Sequence, residues 1–109
     1  MWGVCIDVNI LNGALFQSVV EYIIEDNQAI VISPINNVVF DISKIRGIPD
    51  SPRFVYGELV SPMNHLDMQG MIHSIKWNFK LKCCYYKIQV SGKVKSKHYL
   101  SEDLVGCFG

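Results

Sequence analysis

The sequence predicts a mostly β fold: a small antiparallel barrel over about residues 53–109, with an N-terminal β-hairpin extension before it. Three observations carry this expectation. Much of the stretch from residue 70 to 100 alternates apolar and polar side chains with a period of two, the mark of half-buried strands. Gly, Pro, Asn and Asp divide the chain into runs of strand length. Half of the 109 residues are apolar and only 18% are charged, which excludes disorder and supplies one core. The length suits a single domain and excludes a large multi-site enzyme.

Residues 14–25 admit two readings. Wound as a helix, Gln17, Ser18, Glu21 and Glu25 gather on one arc, and Asn12 could cap it. Read as a strand, Val19-Val20-Glu21-Tyr22-Ile23-Ile24 is rich in residues that favour β structure. Glu25-Asp26-Asn27-Gln28 would then be the tip of a hairpin to Ala29–Ile32. The hairpin over 19–32 is the preferred expectation, and a helix within 13–25 is the alternative. Ser33-Pro34 stops the second strand, Val38–Ile42 makes another, and Ser43–Pro52, with Gly47, Pro49 and Pro52, resembles a linker.

The second half opens with the apolar run Phe54–Ser61, which Pro62 ends. Met63–Gln69 is a polar loop. After Gly70, Ile75, Trp77 and Phe79 face one way, and Ser74, Lys76, Asn78 and Lys80 the other. Lys80–Lys82 breaks the pattern. In Cys83–Val90, Tyr86, Ile88 and Val90 share one face, opposite Tyr85, Lys87 and Gln89. Ser91-Gly92 is a two-residue turn into Lys93–Leu100, and Ser101-Glu102-Asp103-Leu104 reads as one capped helical turn before a last strand at Val105. So many short strands must curl or lean on another layer. Strand, long loop, strand, hairpin, strand, hairpin, strand and helical turn is the element order of SH3-like barrels.

One internal echo stands out. Ile32-Ser33-Pro34-Ile35-Asn36-Asn37-Val38 resembles Val60-Ser61-Pro62-Met63-Asn64-His65-Leu66. It is either the trace of two related β units or common turn chemistry met twice.

Lys+Arg and Asp+Glu balance at ten each, which argues against a dedicated nucleic-acid binder. The balance is uneven along the chain. Residues 1–69 hold three bases and eight acids, including Glu21, Glu25, Asp26, Asp41 and Asp50; residues 70–109 hold seven lysines and two acids. Such asymmetry marks either an interaction surface or two halves that attract each other. No basic region followed by an apolar run opens the chain, and no apolar stretch has membrane-span length, so a soluble cytoplasmic protein with no membrane role is expected. Cys5, Cys83, Cys84 and Cys107 lack C-x-x-C spacing and read as buried thiols, with neither metal nor other cofactor expected.

No catalytic motif occurs, so no enzyme is expected and no catalytic residue is assigned. His73 reads as structural, and His65 and Asp67 stand in a polar loop. The best surface candidate for a partner is the set Lys76, Lys87, Lys93, Lys95 and Lys97, with Tyr85 and Tyr99 between them. Cations interleaved with aromatic rings can track a single-stranded nucleic acid, meet an acidic protein surface, or form a solvated sheet edge. Trp77, Tyr85, Tyr86 and Tyr99 could also cage a methylated cation, but Trp77 alternates with Ile75 and Phe79, which favours core packing.

The stretches Tyr56–Pro62, Gly70-Met71-Ile72, Ile75–Lys80, Tyr85-Tyr86, Gly92–Tyr99 and Asp103-Leu104 resemble small bacterial SH3-like or Tudor-like barrel proteins, some of them immunity-protein-like. The resemblance covers about half the chain and adds nothing for residues 1–50. It implies a non-enzymatic protein-binding module that neutralises a toxin domain by steric occlusion, and it brings no catalytic residue. A single-stranded nucleic-acid-binding module using the lysine face is the alternative expectation.

Overall fold

The computed structural model describes residues 1–107. The last two positions of the expected barrel, 108 and 109, lie outside the described residues. The protein is mostly β, in two antiparallel sheets, and divides into two compact units, Met1–Ser51 and Pro52–Gly109. Among the described residues the only helical turns are three short 3-10 turns, and no helix is long and apolar enough to cross a membrane.

The first unit contains β1 (Trp2–Cys5), β2 (Val19–Glu25), β3 (Gln28–Ser33), β4 (Val38–Asp41) and β5 (Ile45–Gly47), ordered β4-β3-β2-β1-β5. The hairpin reading of residues 19–32 is the one that forms. Glu25 pairs with Gln28 across Asp26 and Asn27, whose φ angles of 50° and 61° suit a tight turn matched to strand twist. Asp and Asn tolerate that left-handed backbone better than most residues. The helix alternative within 13–25 is not formed, because the β-branched run gains ladder partners on both sides. Asn12, the expected cap, adopts φ 55° inside a short 3-10 turn. Cys5, Leu15, Val20, Tyr22, Ala29, Val31 and Ile45 form a core cluster within the first unit.

The second unit contains β6 (Leu59–Pro62), β7 (Gly70–Asn78), β8 (Cys83–Val90), β9 (Lys93–Val94), β10 (Tyr99–Leu100) and β11 (Leu104–Gly106). The order is β10-β8-β7-β6-β11, and β9 pairs with β8. Val60, Ile72, Ile75, Tyr86, Ile88 and Leu104 are buried within it. Ile72 and Ile75 both point inward despite their odd spacing, because a bulge between Ile72 and Ser74 inserts His73 as an extra, exposed residue. The His73 ring nitrogen Nδ1 lies 2.8 Å from the Ser74 hydroxyl.

Three expectations are corrected here. Phe79 does not continue the inward face; it lies beyond β7 and is 39% exposed. The Asn78 side-chain oxygen accepts the backbone N–H groups of Lys80 and Leu81, at 3.0 and 2.9 Å, which turns the chain and ends the alternation. The strand expected over 54–61 starts only at Leu59, after a turn in which Gly57 adopts φ 84°. The sheet is also open and does not form a closed cylinder. Among the described residues no ladder joins β10 to β11, since the turn at Ser101–Asp103 redirects the chain onto β6.

The two sheets follow one path. In each, the last strand pairs with the first (β5 with β1, β11 with β6), and a 3-10 turn (Ile42–Lys44 or Ser101–Asp103) directly precedes that last strand. Their backbone hydrogen bonds correspond. Ile6 donates to Lys44 as Met63 donates to Asp103, both at 2.9 Å. Ile48 donates to Trp2 at 3.1 Å as Cys107 donates to Leu59 at 3.0 Å. Tyr22 donates to Met1 at 2.8 Å as Ile72 donates to Glu58 at 2.9 Å. The Ser-Pro echo does not record this repeat, because Ser33-Pro34 follows the third strand of one sheet and Ser61-Pro62 ends the first strand of the other. Two connections differ in length. Between the first two strands, residues 6–18 stand against residues 63–69; the other connection joins β3 to β4 or β8 to β10. Residues 34–37 make that connection in the first unit; residues 91–98, including β9, make it in the second.

Candidate functional site

The predicted lysine face is two surfaces. On the outer side of β7 and β8, Lys76 pairs with Tyr85 and Ser74 with Lys87, all half-buried. Adjacent strands at matching register bring such side chains within reach of one another. The Tyr85 ring packs on His98, centroids 4.9 Å apart and planes at 57°.

The second surface is the arm from β9 to β10. Ser91 (φ 51°) and Gly92 (φ 80°) turn the chain out of β8, and the Lys95 backbone N–H then donates to Ile88 at 2.9 Å. Lys93, Lys95 and Lys97 are exposed along this arm. Tyr99 is not a surface ring. It pairs with Tyr86 in the sheet and is only 6% exposed, with the Lys97 ammonium 5.0 Å from its ring centroid. That contact is a cation–π pair. Tyr99 and the lysines before it do not share one strand face, because the chain leaves the ladder between Val94 and Tyr99.

The arm meets a loop that sequence reasoning left apart from it. Asn64, His65 and Met68 on one side, and Lys95, Ser96, Lys97 and Tyr99 on the other, line a cleft of about 340 Å3. A cleft of about 240 Å3, which shares Asn64, Lys97 and Tyr99, adds Met63 and Asp103. The loop is held by local turns. His65 donates to Pro62 and Met68 to His65, both at 3.0 Å, while Met63 is anchored to Asp103. The Asp103 carboxylate in turn accepts the Leu100 N–H at 3.0 Å. Two ammonium groups, an imidazole, an amide and a hydroxyl therefore line the cleft, with one carboxylate in its extension. The arrangement suits an anionic group on its main side.

The first unit holds a different cleft, of about 380 Å3, lined by Trp2, Tyr22 and the 47–51 segment, where Asp50 is the charged side chain.

Elsewhere burial holds one thiol and two phenols neutral. Burial pushes the Cys84 thiol up to about 11, with the neighbouring Cys83 adding to it. Burial also raises Tyr56, whose hydroxyl donates to Ile75 at 3.3 Å, and Tyr86. A thiol held protonated is the opposite of an activated nucleophile. All four cysteines are thiols, and among the described residues no three His, Cys, Asp or Glu side chains gather as a metal site.

No curated protein matches the chain. A family of unknown function, DUF6960, matches residues 43–105, from the 3-10 turn before β5 into β11. That span covers more than half of the sequence and almost all of the second unit, so the chain belongs to the DUF6960 family.

Proposed function

We propose that this protein is a non-enzymatic protein-binding module whose second unit follows an SH3-like plan. The sheet order supports the plan, with its last strand, β11, on its first, β6, and a 3-10 turn before β11. The observation that carries the function is the exposed arm bearing Lys93, Lys95 and Lys97 beside a cleft. Clustered cations steer an oppositely charged partner and discriminate against like-charged ones. Neutralisation of a toxin domain by occlusion is the narrower form of this reading, supported by the resemblance to immunity-like proteins.

The experiment is co-purification with the product of the adjacent reading frame, followed by calorimetry at two salt concentrations. The expected result is a defined complex that weakens with salt and is lost in Lys95→Glu/Lys97→Glu. A neighbourhood with no toxin-like frame removes the toxin form. A complex indifferent to that double variant overturns the role of the arm.

A single-stranded nucleic acid is the second reading, favoured by the Lys76–Tyr85 pair with Lys87 on the same outer face. Two features weaken it: the Tyr85 ring already packs on His98, and Tyr99 is buried. It predicts oligonucleotide affinity that falls steeply with salt, and absence of binding at low ionic strength removes it.

A further inference from the structure

We propose that the cleft between the 63–68 loop and the 93–99 arm is the docking site for an acidic segment of a partner protein. Lys95 and Lys97 take a carboxylate of that segment, and Met63 and Met68 take an apolar side chain next to it. This rests on the protein-binding reading and narrows it to one surface and one partner chemistry.

The arm is extra to the frame. The first unit joins its third and fourth strands with residues 34–37, along the same path and with corresponding backbone hydrogen bonds. The second unit makes that join with residues 91–98, which carry three lysines and His98. The sheet order is reached without such an arm in the first unit, so these ammonium groups are not needed to close the path. They are exposed, and they stand where the loop supplies His65 and Asn64 as further polar groups.

The loop side also carries thioethers among its polar groups: Met68 lines the larger space, and Met63, 55% exposed, lines the smaller. Unbranched thioether side chains repack around varied partners. A cleft with cations on one side, and methionines beside an amide and an imidazole on the other, matches a segment in which acidic and apolar residues adjoin.

Nucleic acid fits this cleft less well. Bases need open rings to stack on; the large ring here, Tyr99, is buried and approached by the Lys97 ammonium, which leaves only the smaller His65 imidazole exposed in the cleft. Asp103 borders the adjoining space, where it repels phosphates and carboxylates alike, so an anion fits only at Lys95 and Lys97 and a continuous phosphate chain is disfavoured. A peptide carries N–H donors that can meet that carboxylate.

The test is a titration of the 15N-labelled full chain, followed by two-dimensional NMR, with a short capped peptide of alternating glutamate and leucine. Shifts are expected at residues 63–68, 95–99 and 103. Lys95→Glu/Lys97→Glu is expected to weaken binding about tenfold or more, while Lys80→Glu/Lys82→Glu, the same charge change in the 79–82 turn, leaves it within about twofold. Undisturbed peak dispersion in both variants shows that they fold. Shifts confined to Lys76, Tyr85 and Lys87 overturn the site and leave protein binding standing. No shifts at millimolar peptide, with the partner complex intact, overturn the acidic segment alone. An oligothymidylate of equal charge that moves the same peaks at lower concentration overturns both.

Discussion

The backbone N–H of Arg53 donates to the phenolic oxygen of Tyr86 at 3.1 Å, across 33 positions of chain. The Ser101 hydroxyl donates to the same oxygen at 3.4 Å, and the Arg53 guanidinium donates to the Ser101 carbonyl at 2.8 Å. The Phe54 ring meets the fully buried Tyr86 ring edge-on at 5.5 Å. One hydroxyl thus fastens the start of the second unit to the middle of its sheet and to its last turn. Tyr86→Phe keeps the ring and strands the Arg53 N–H. It should cost about 1–2 kcal/mol, measured as a lower urea midpoint at unchanged slope. A loss below about 0.5 kcal/mol would show that the bond contributes little.

Two glycines should respond to alanine for different reasons. A Cβ on Gly3 would stand 2.9 Å from both the Arg46 carbonyl oxygen and the Tyr22 ring, and 3.0 Å from Ile45. Those contacts lie in the β1–β5 ladder and the first unit's core, where overpacking costs about 1–3 kcal/mol. Gly57 has open space around it but adopts φ 84°, so Gly57→Ala should cost about 1–2 kcal/mol through backbone strain alone. Replacing Gly57 with Asn, which tolerates that region, should recover part of the loss; Gly3→Asn should be worse than Gly3→Ala. Thermal melts of the four variants decide both points.

Acid should weaken the first unit at two identified carboxylates. The Asn9 N–H at 2.7 Å holds Asp7 below the usual carboxylate range, helped by the Lys44 ammonium at 2.9 Å. The Ser43 N–H at 2.8 Å does the same for Asp41. Both folded pKa values lie below the unfolded ones, so the folded state binds fewer protons here. Their stabilisation is complete above the unfolded value near pH 4 and disappears as pH falls through the folded values. Asp7→Asn and Asp41→Asn should flatten the acid limb of a plot of melting temperature against pH. An unchanged limb would mean that neither contact persists in solution.

Base should act through Cys84. Its thiol, raised to about 11 by burial, keeps a proton that the unfolded chain releases above about pH 8.5. Stability should therefore fall as pH rises from about 8.5 toward 11, and Cys84→Ala should remove part of that fall. At pH 8 the folded protein should resist alkylation at Cys84, read by mass spectrometry of the labelled peptides. Rapid labelling there would contradict its burial.

The strands legible in the sequence are those whose partner is a near neighbour. Tyr86, Ile88 and the two-residue turns at Asp26-Asn27 and Ser91-Gly92 declare themselves through alternation and backbone chemistry. The strands β1 and β5 do not, because Trp2–Cys5 and Ile45–Gly47 are short and pair with residues some forty positions away. Gly47 and Pro49 made β5 look like linker. Alternation also identified the lysines but not their division, since phase is lost where the chain leaves the ladder between Val94 and Tyr99. His65, Asn64 and Met68 sit in local turns, but the Met63–Asp103 hydrogen bond that anchors their loop joins residues far apart in sequence, for which local pattern holds no signal.

The crossings at 34–37 and 91–98 differ in length although both sheets run through the same sequence of neighbouring strands. Loop length is a weak lever on closure entropy. The longer crossing can therefore change its length and its side chains at little cost in closure entropy, much as a socket accepts different bits on one handle.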